Sequence, residues 1–303
     1  MGRVAFVFSG QGDQHPGMGE EFFHIPSAKE VFERCERLRP GTMEQCFRGS
    51  EEELKQTVNT QPCLFAMEMA AAAALEAHGV KADLCAGFSL GEAAALCYSS
   101  AVDLESGFSL VCKRAELMQS ASEEADCGMA AVVKLSDEQV RELCGRFAQV
   151  YPVNYNSAGQ VSVAGASAEL PDFFTAVREA GGKALPLKVK GAFHSPFMNK
   201  AAEEFAEYLE DKSIEEPKIP LYSDLTAKPY CGDRKQLLVQ QICSPVRWAE
   251  LVQNLIAEGV DIFIEIGPGK TLCNLLKRID PTVRGLAVCS DWDEILEVCH
   301  AER

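Results

Sequence analysis

The sequence predicts an α/β protein built on a mainly parallel sheet with helices on both faces. Three observations carry that expectation. Short apolar runs such as Val4–Phe8 (VAFVF) and Ile262–Ile266 (IFIEI) end at glycine turns, as strands buried on both faces do. Longer segments with helical spacing lie between such runs. Strand and helix alternate along most of the chain, which is the pattern of parallel connections.

Taken in order, Val4–Phe8 is the first strand and Ser9-Gly10 ends it. Residues 18–38 and 51–57 read as partly exposed helices. Gln61–Ala77 is strongly helical, with Pro62 near its start and His78-Gly79 closing it. Leu84–Ala86 is a second short strand, followed by helices over Leu90–Tyr98 and Leu104–Ser120. The period then changes. Met129–Lys134 reads as a strand, and Ser136 with Gln139 caps a helix running to about Phe147. Val150–Asn156 and Gln160–Ala166 form a hairpin around Ser157-Ala158-Gly159. Leu170–Ala180 is a helix ended by Gly181-Gly182, and Ala184–Val189 is a strand. This β-α-β-β-α-β order is that of a ferredoxin-like unit. It spans about 127–190 and is inserted between the two parts, 1–126 and 191–303, of a larger, hydrolase-like α/β subdomain. Beyond it come a helix (Pro196–Leu209), an extended stretch (Pro217–Ser223) and a helix (Trp248–Glu258). The strand Ile262–Ile266, the turn Gly267-Pro268-Gly269, a helix (Thr271–Arg278) and a strand (Leu286–Ser290) complete the pattern.

Composition narrows the function. The 303 residues are 47% hydrophobic and 24% charged, the profile of a soluble globular protein. A net charge of −16 leaves no basic excess to neutralise phosphates, so no nucleic-acid partner is expected. The 13 cysteines form no C-x-x-C and sit mostly in apolar segments, which points to a reducing compartment and not to a disulfide scaffold. No metal-ligand spacing is present, and no signal peptide or membrane span is read. The expected location is cytoplasmic and the expected state a monomer.

Chemistry concentrates in a few stretches. Gly87-Phe88-Ser89-Leu90-Gly91 fits G-x-S-x-G, a serine held on a sharp turn between strand and helix. Such a turn lifts Ser89 out of the sheet and places it at a helix N-terminus, whose free N–H groups favour developing negative charge. A serine needs a base. Among His15, His24, His78, His194 and His300, the one in Gly191-Ala192-Phe193-His194-Ser195-Pro196 is favoured, with His15 as an alternative in a glycine-rich loop. No aspartate near His194 is an obvious orienting partner, and a backbone carbonyl could serve instead. The loop Ser9-Gly10-Gln11-Gly12 follows a strand and could supply backbone N–H groups to an oxyanion hole. On composition alone, Arg114 beside Lys113 reads as a surface helix residue.

Seven stretches occur together and in order: FVFSGQGDQ (6–14), GFSLGE (87–92), VCKRAELMQ (111–119), VNYNSAGQVSVAG (153–165), GAFHSPFM (191–198), QICSPVRW (241–248) and EIGPGKTL (265–272). In this the chain resembles the malonyl-CoA:acyl carrier protein transacylases of fatty acid synthesis, across essentially its full length. The resemblance implies that Ser89 carries a malonyl ester and that His194 is general base and acid. It implies that the Gln241 backbone carbonyl orients His194 and that the amides of Gln11 and Leu90 form the oxyanion hole. Arg114 would pair with the malonyl carboxylate, a role suited to a planar, always charged guanidinium. The implied partners are malonyl-CoA and acyl carrier protein, with CoA entering as substrate and no tightly bound cofactor or metal. The Ala192-Phe193-His194 run resembles the malonyl-selecting form of such enzymes. Phe88 departs from the histidine common before the nucleophile, Ser9 from a common proline, and Ala158 from another. Lys183, Lys188 and Lys190, and Lys270, Lys277 and Arg278, are candidate contacts for the acidic carrier or the CoA phosphates, against the plain expectation of solvated surface charges. The alternatives are an acyltransferase loading polyketide synthase carrier domains, a serine hydrolase, or a non-catalytic acyl-CoA-binding protein.

Overall fold

The computed structural model describes residues 2–187, 189 and 191–301. Two sheets organise it. The first contains β1 (Arg3–Phe8), β2 (Leu84–Gly87), β7 (Leu221–Tyr222), β8 (Val260–Ile266) and β9 (Arg284–Ala287), in the order β7-β2-β1-β8-β9 and parallel throughout. The second contains β3 (Cys127–Val133), β4 (Val150–Ser157), β5 (Gln160–Ala166) and β6 (Lys183–Pro186). It is antiparallel in the order β4-β5-β3-β6, as the ferredoxin-like reading requires.

The strand period of two divides the parallel sheet between two cores. Val4, Phe6 and Phe8 of β1 face one core together with Ile262, Ile264 and Ile266 of β8. Ala5 and Val7 face the other with Phe263, where Trp248 and Leu272 of the helices Trp248–Ala257 and Thr271–Ile279 cover them. Because all five strands are parallel, their C-terminal ends lie on one edge, where the loops of such sheets collect ligands.

Several elements differ from expectation. The 18–38 segment resolves into a 3-10 turn (Glu20–Phe22) and a helix that begins only at Pro26. The long central helix starts at Thr57, so Pro62 lies inside it; burial on nearly every face outweighs the missing N–H. The predicted strand Ala184–Val189 is instead Lys183–Pro186. The helices Arg234–Cys243 and Trp292–Ala301 were not expected. All 13 cysteines are free. No helix among the described residues is long and apolar enough to cross a membrane.

Candidate active site

The elbow explains its own sequence. Ser89 sits at φ 54° and ψ −103°, a conformation rare for any residue with a Cβ. The turn leaves no room beside it. A Cβ on Gly87 would lie 1.9 Å from the Gly91 carbonyl carbon, and one on Gly91 would lie 2.2 Å from the Phe8 carbonyl oxygen. The Phe88 amide donates to Phe8 O at 2.9 Å, and the Ser9 amide to Ile266 O at 3.0 Å. The ends of β1, β2 and β8 are therefore stitched together under Ser89.

His194 arrives from the other direction. It is 3% exposed and also has a positive φ, 60°. Its ring Nδ1 donates to Gln241 O at 2.8 Å, and its backbone N–H donates to Ile242 O at 3.2 Å. Both acceptors belong to the last turn of the helix Arg234–Cys243, whose final carbonyls have no partner within the helix. A helix C-terminus thus stands where a Ser-His-Asp triad has its aspartate, and it presents a partial negative charge to the imidazole. With Nδ1 donating, Nε2 is the acceptor and stands 2.7 Å from Ser89 Oγ. Burial, reinforced by the Arg114 charge and opposed by the carbonyl contacts, pushes His194 down to about 4. The imidazole is neutral at neutral pH, the form a base needs.

Arg114 is not on the surface, as composition alone suggested. It is 2% exposed on the helix Leu104–Glu124. Its guanidinium donates to Gln61 Oε1 at 2.9 Å, to Gln241 Oε1 at 2.9 Å and to Ser89 Oγ at 3.2 Å. All three acceptors are neutral, and Arg114 forms no ion pair among the described residues. Burial lowers its pKa to about 10, with Asp224 and Glu92 opposing that at longer range. A buried cation satisfied only by amides and a hydroxyl is a site prepared for an anion.

Residues 5–288 match the acyl transferase domain family. A malonyl CoA-acyl carrier protein transacylase from Bacillus subtilis (strain 168) is 35% identical over 297 residues, covering 95% of this chain and 94% of that one. The chain belongs to the malonyl-CoA:acyl carrier protein transacylase family. A crystal structure of such a transacylase from Clostridium perfringens superposes with a TM-score of 0.95 at 35% identity, over 99% of this chain and 98% of that one. A malonyl-transacylase solved in complex with a type II PKS acyl-carrier protein is 34% identical with a TM-score of 0.94, over 99% and 100% of the two chains.

The transacylase cleft lies between the two sheets. Its empty space, about 1050 Å³ including open solvent, is large enough for a thioester arm. Gln11 and Leu90 both line it beside Ser89 and His194. Leu90 is the first residue of the helix Leu90–Tyr98, so its N–H has no helical acceptor. The antiparallel sheet supplies the opposite wall, including Asn154 and Asn156 of β4.

Phe88 lines the cleft and packs edge-on against Trp248, ring centroids 5.4 Å apart. His15, the alternative base, is exposed and its Nδ1 contacts Asp13 O at 3.0 Å, away from Ser89. Among the candidate cations, Lys183, Lys270, Lys277 and Arg278 are exposed. Lys270 pairs with Asp291, and Arg278 binds Gln160, itself at the cleft. Lys188 and Lys190 lie outside the described residues.

Sequence reasoning missed Gln61, Glu92, Asp224 and the side chain of Gln241. The Gln241 amide does three things: Oε1 accepts from Arg114, while Nε2 donates to Ser89 O at 2.7 Å and to Asp224 Oδ2 at 3.4 Å. One signal was available for Gln61. It and Glu68, seven positions apart, are the two polar residues of the otherwise apolar run Gln61–Leu75.

Proposed function

We propose that the chain transfers malonyl from malonyl-CoA to the phosphopantetheine thiol of acyl carrier protein for fatty acid synthesis, through a malonyl ester on Ser89. One observation carries the reading. Ser89 Oγ is touched at once by a neutral imidazole nitrogen, 2.7 Å away, and by a buried guanidinium without a carboxylate partner among the described residues, 3.2 Å away. The first makes the hydroxyl a nucleophile. The second selects an acyl group that brings its own negative charge.

In the forward half-reaction, Ser89 Oγ attacks the thioester carbonyl carbon while His194 Nε2 takes its proton. The carbonyl oxygen becomes an oxyanion facing the amides of Gln11 and Leu90. One such donor typically contributes about 3–4 kcal/mol. The imidazolium is held by the carbonyls of the helix Arg234–Cys243. As the tetrahedral intermediate collapses, the C–S bond breaks and His194 returns the proton to the departing CoA sulfur. The carrier thiol then attacks the ester by the same steps in reverse, with His194 as base toward sulfur. Arg114 holds the malonyl carboxylate throughout. CoA is a substrate, and no step needs a bound cofactor.

The chemistry suits a reducing, cytoplasmic setting, which 13 free cysteines support. The solved complex of a malonyl-transacylase with a type II PKS carrier supports a second reading, delivery to a polyketide carrier, with the same site.

Intact-mass spectrometry after incubation with malonyl-CoA tests the proposal. A malonyl adduct should form, vanish in Ser89→Ala, and pass to added holo carrier protein. An adduct that persists in Ser89→Ala refutes the nucleophile. One lost to water as fast with carrier as without it supports a hydrolase. Relative transfer rates to a fatty-acid and a polyketide carrier separate the two pathway readings.

A further inference from the structure

Beneath the elbow lie two carboxyl groups that the transfer mechanism does not use. Glu92, on the helix Leu90–Tyr98, and Asp224, in the turn after β7, are both 0% exposed. Asp224 Oδ2 accepts the backbone N–H of Ser89 at 2.6 Å, and the Asp224 N–H donates to Glu92 Oε2 at 2.6 Å. That backbone bond brings the two buried side chains close enough for each to act on the other's ionisation. Yet Glu92 Oε1 and Asp224 Oδ1 are each buried with no hydrogen-bond partner among the described residues. Two ionised carboxylates are acceptors only and cannot satisfy one another. A single proton between them supplies the missing donor and removes the repulsion.

We propose that Glu92 and Asp224 share one proton and act as a positioning pair for the nucleophile, Asp224 clamping the Ser89 amide so that the strained elbow keeps Oγ aimed at His194 Nε2. The clamp commits the Ser89 N–H to a buried acceptor, so that N–H is not free to serve the reacting carbonyl. Strain of this kind persists only where the surroundings over-determine it. Here Asp224 grips the Ser89 N–H and Gln241 Nε2 grips the Ser89 carbonyl.

The charged and titratable groups facing the pair come from three other elements. Arg114 faces it from the helix Leu104–Glu124, and Tyr230 from the segment that leads into the helix Arg234–Cys243. Arg234 of that helix acts on Tyr230. Ser223 and Gln241 are the neutral polar neighbours. Burial pushes Asp224 up to about 6 and Glu92 well above the usual carboxylate range, in keeping with a retained proton. The folded protein then binds more protons than the unfolded chain above the ordinary carboxylate range, so the pair makes stability fall as pH rises through that window.

Two arms test this in the full chain. In the kinetic arm, which rests on Ser89 carrying the acyl group, Asp224→Ala should lower kcat for malonyl transfer by about 10- to 100-fold with KM for malonyl-CoA little changed. Asp224→Asn should recover most of that loss, since its amide oxygen accepts from Ser89 N–H and its NH₂ donates toward Glu92. The stability arm is independent of the reaction. Melting temperatures of the unsubstituted protein and Asp224→Asn are compared from pH 5 to 9, and the former should lose ground steadily as pH rises. Asp224→Ala with an ordinary kcat overturns the clamp. Asp224→Asn as slow as Asp224→Ala, or a melting difference flat across pH, overturns the shared proton.

Discussion

The two sheets bury different things. Every buried charged or titratable carboxyl, guanidinium or imidazole side chain among the described residues (Glu68, Glu92, Arg114, His194, Asp224, Glu265) belongs to the part built on the parallel sheet. The antiparallel sheet and its helices close on an apolar core of residues such as Val132, Val161, Val163 and Phe173, and its buried polar groups are neutral: Asn154, Asn156, Ser157 and Ser162. Burying such groups is costly, and four of the six, Glu92, Arg114, His194 and Asp224, lie at or beneath the elbow. The antiparallel half is a wall that closes the cleft, and the parallel half is the machine.

That contrast yields graded expectations. His194→Ala, in the charged half, should reduce kcat by about 10⁴-fold or more, with folding intact by circular dichroism. A loss under about tenfold would place the base elsewhere. Phe173→Ala, in the apolar half, should destabilise the protein by about 3–5 kcal/mol in denaturant titration. The fraction still folded should transfer malonyl at the ordinary rate, and an equal fall in kcat per folded molecule would erase the division of labour. The pH dependence sharpens it further. His194 must be neutral to act, and its pKa is lowered to about 4, so kcat/KM should hold from pH 8 to about 5 and fall only below that. A limb near the ordinary histidine value would show that the site is wetter than its burial implies. Phe88→His is the smallest change. The Phe88 ring packs on Trp248 at the cleft wall, to the side of the reacting groups, so its replacement should shift acyl-CoA preference by only a few-fold. An unchanged rate and preference would end any role for Phe88 in pocket polarity.

What could be read from the sequence follows the same division. The wall was legible apart from the bounds of its last strand, because alternation, the Ser136–Gln139 capping box and the Gly159 turn are local signals. The elbow was legible too, since its glycines are there to avoid contacts under 2.5 Å. The rest of the site was not. The helix Arg234–Cys243 buries only Leu238, Gln241 and Ile242, so it carries little apolar stripe. Its contribution to His194 is made by backbone carbonyls, which no side-chain pattern announces. Arg114 looked like surface charge because its partners Gln61 and Gln241 lie 53 and 127 residues away along the chain. Glu92 and Asp224 are 132 residues apart, and their contact exists only once β2 and β7 pair. Local pattern pointed to Ser89, His194 and the Gln11 loop, whereas Arg114, Leu90 and the Gln241 carbonyl were named through family resemblance alone, and substitution at Ser89, His194 and Arg114 is what decides their roles.

In the proposed mechanism the buried Arg114 guanidinium beside Ser89, with no ion pair among the described residues, is what selects a malonyl group. The decisive comparison is kcat/KM for malonyl-CoA and acetyl-CoA in the unsubstituted protein and in Arg114→Ala. The unsubstituted protein should prefer malonyl-CoA by about 10⁴-fold, since acetyl leaves the guanidinium without its anion. Arg114→Ala should shrink that ratio by about 100-fold or more, mainly through loss of malonyl transfer. A ratio unchanged in Arg114→Ala would mean that the guanidinium does not select the acyl group.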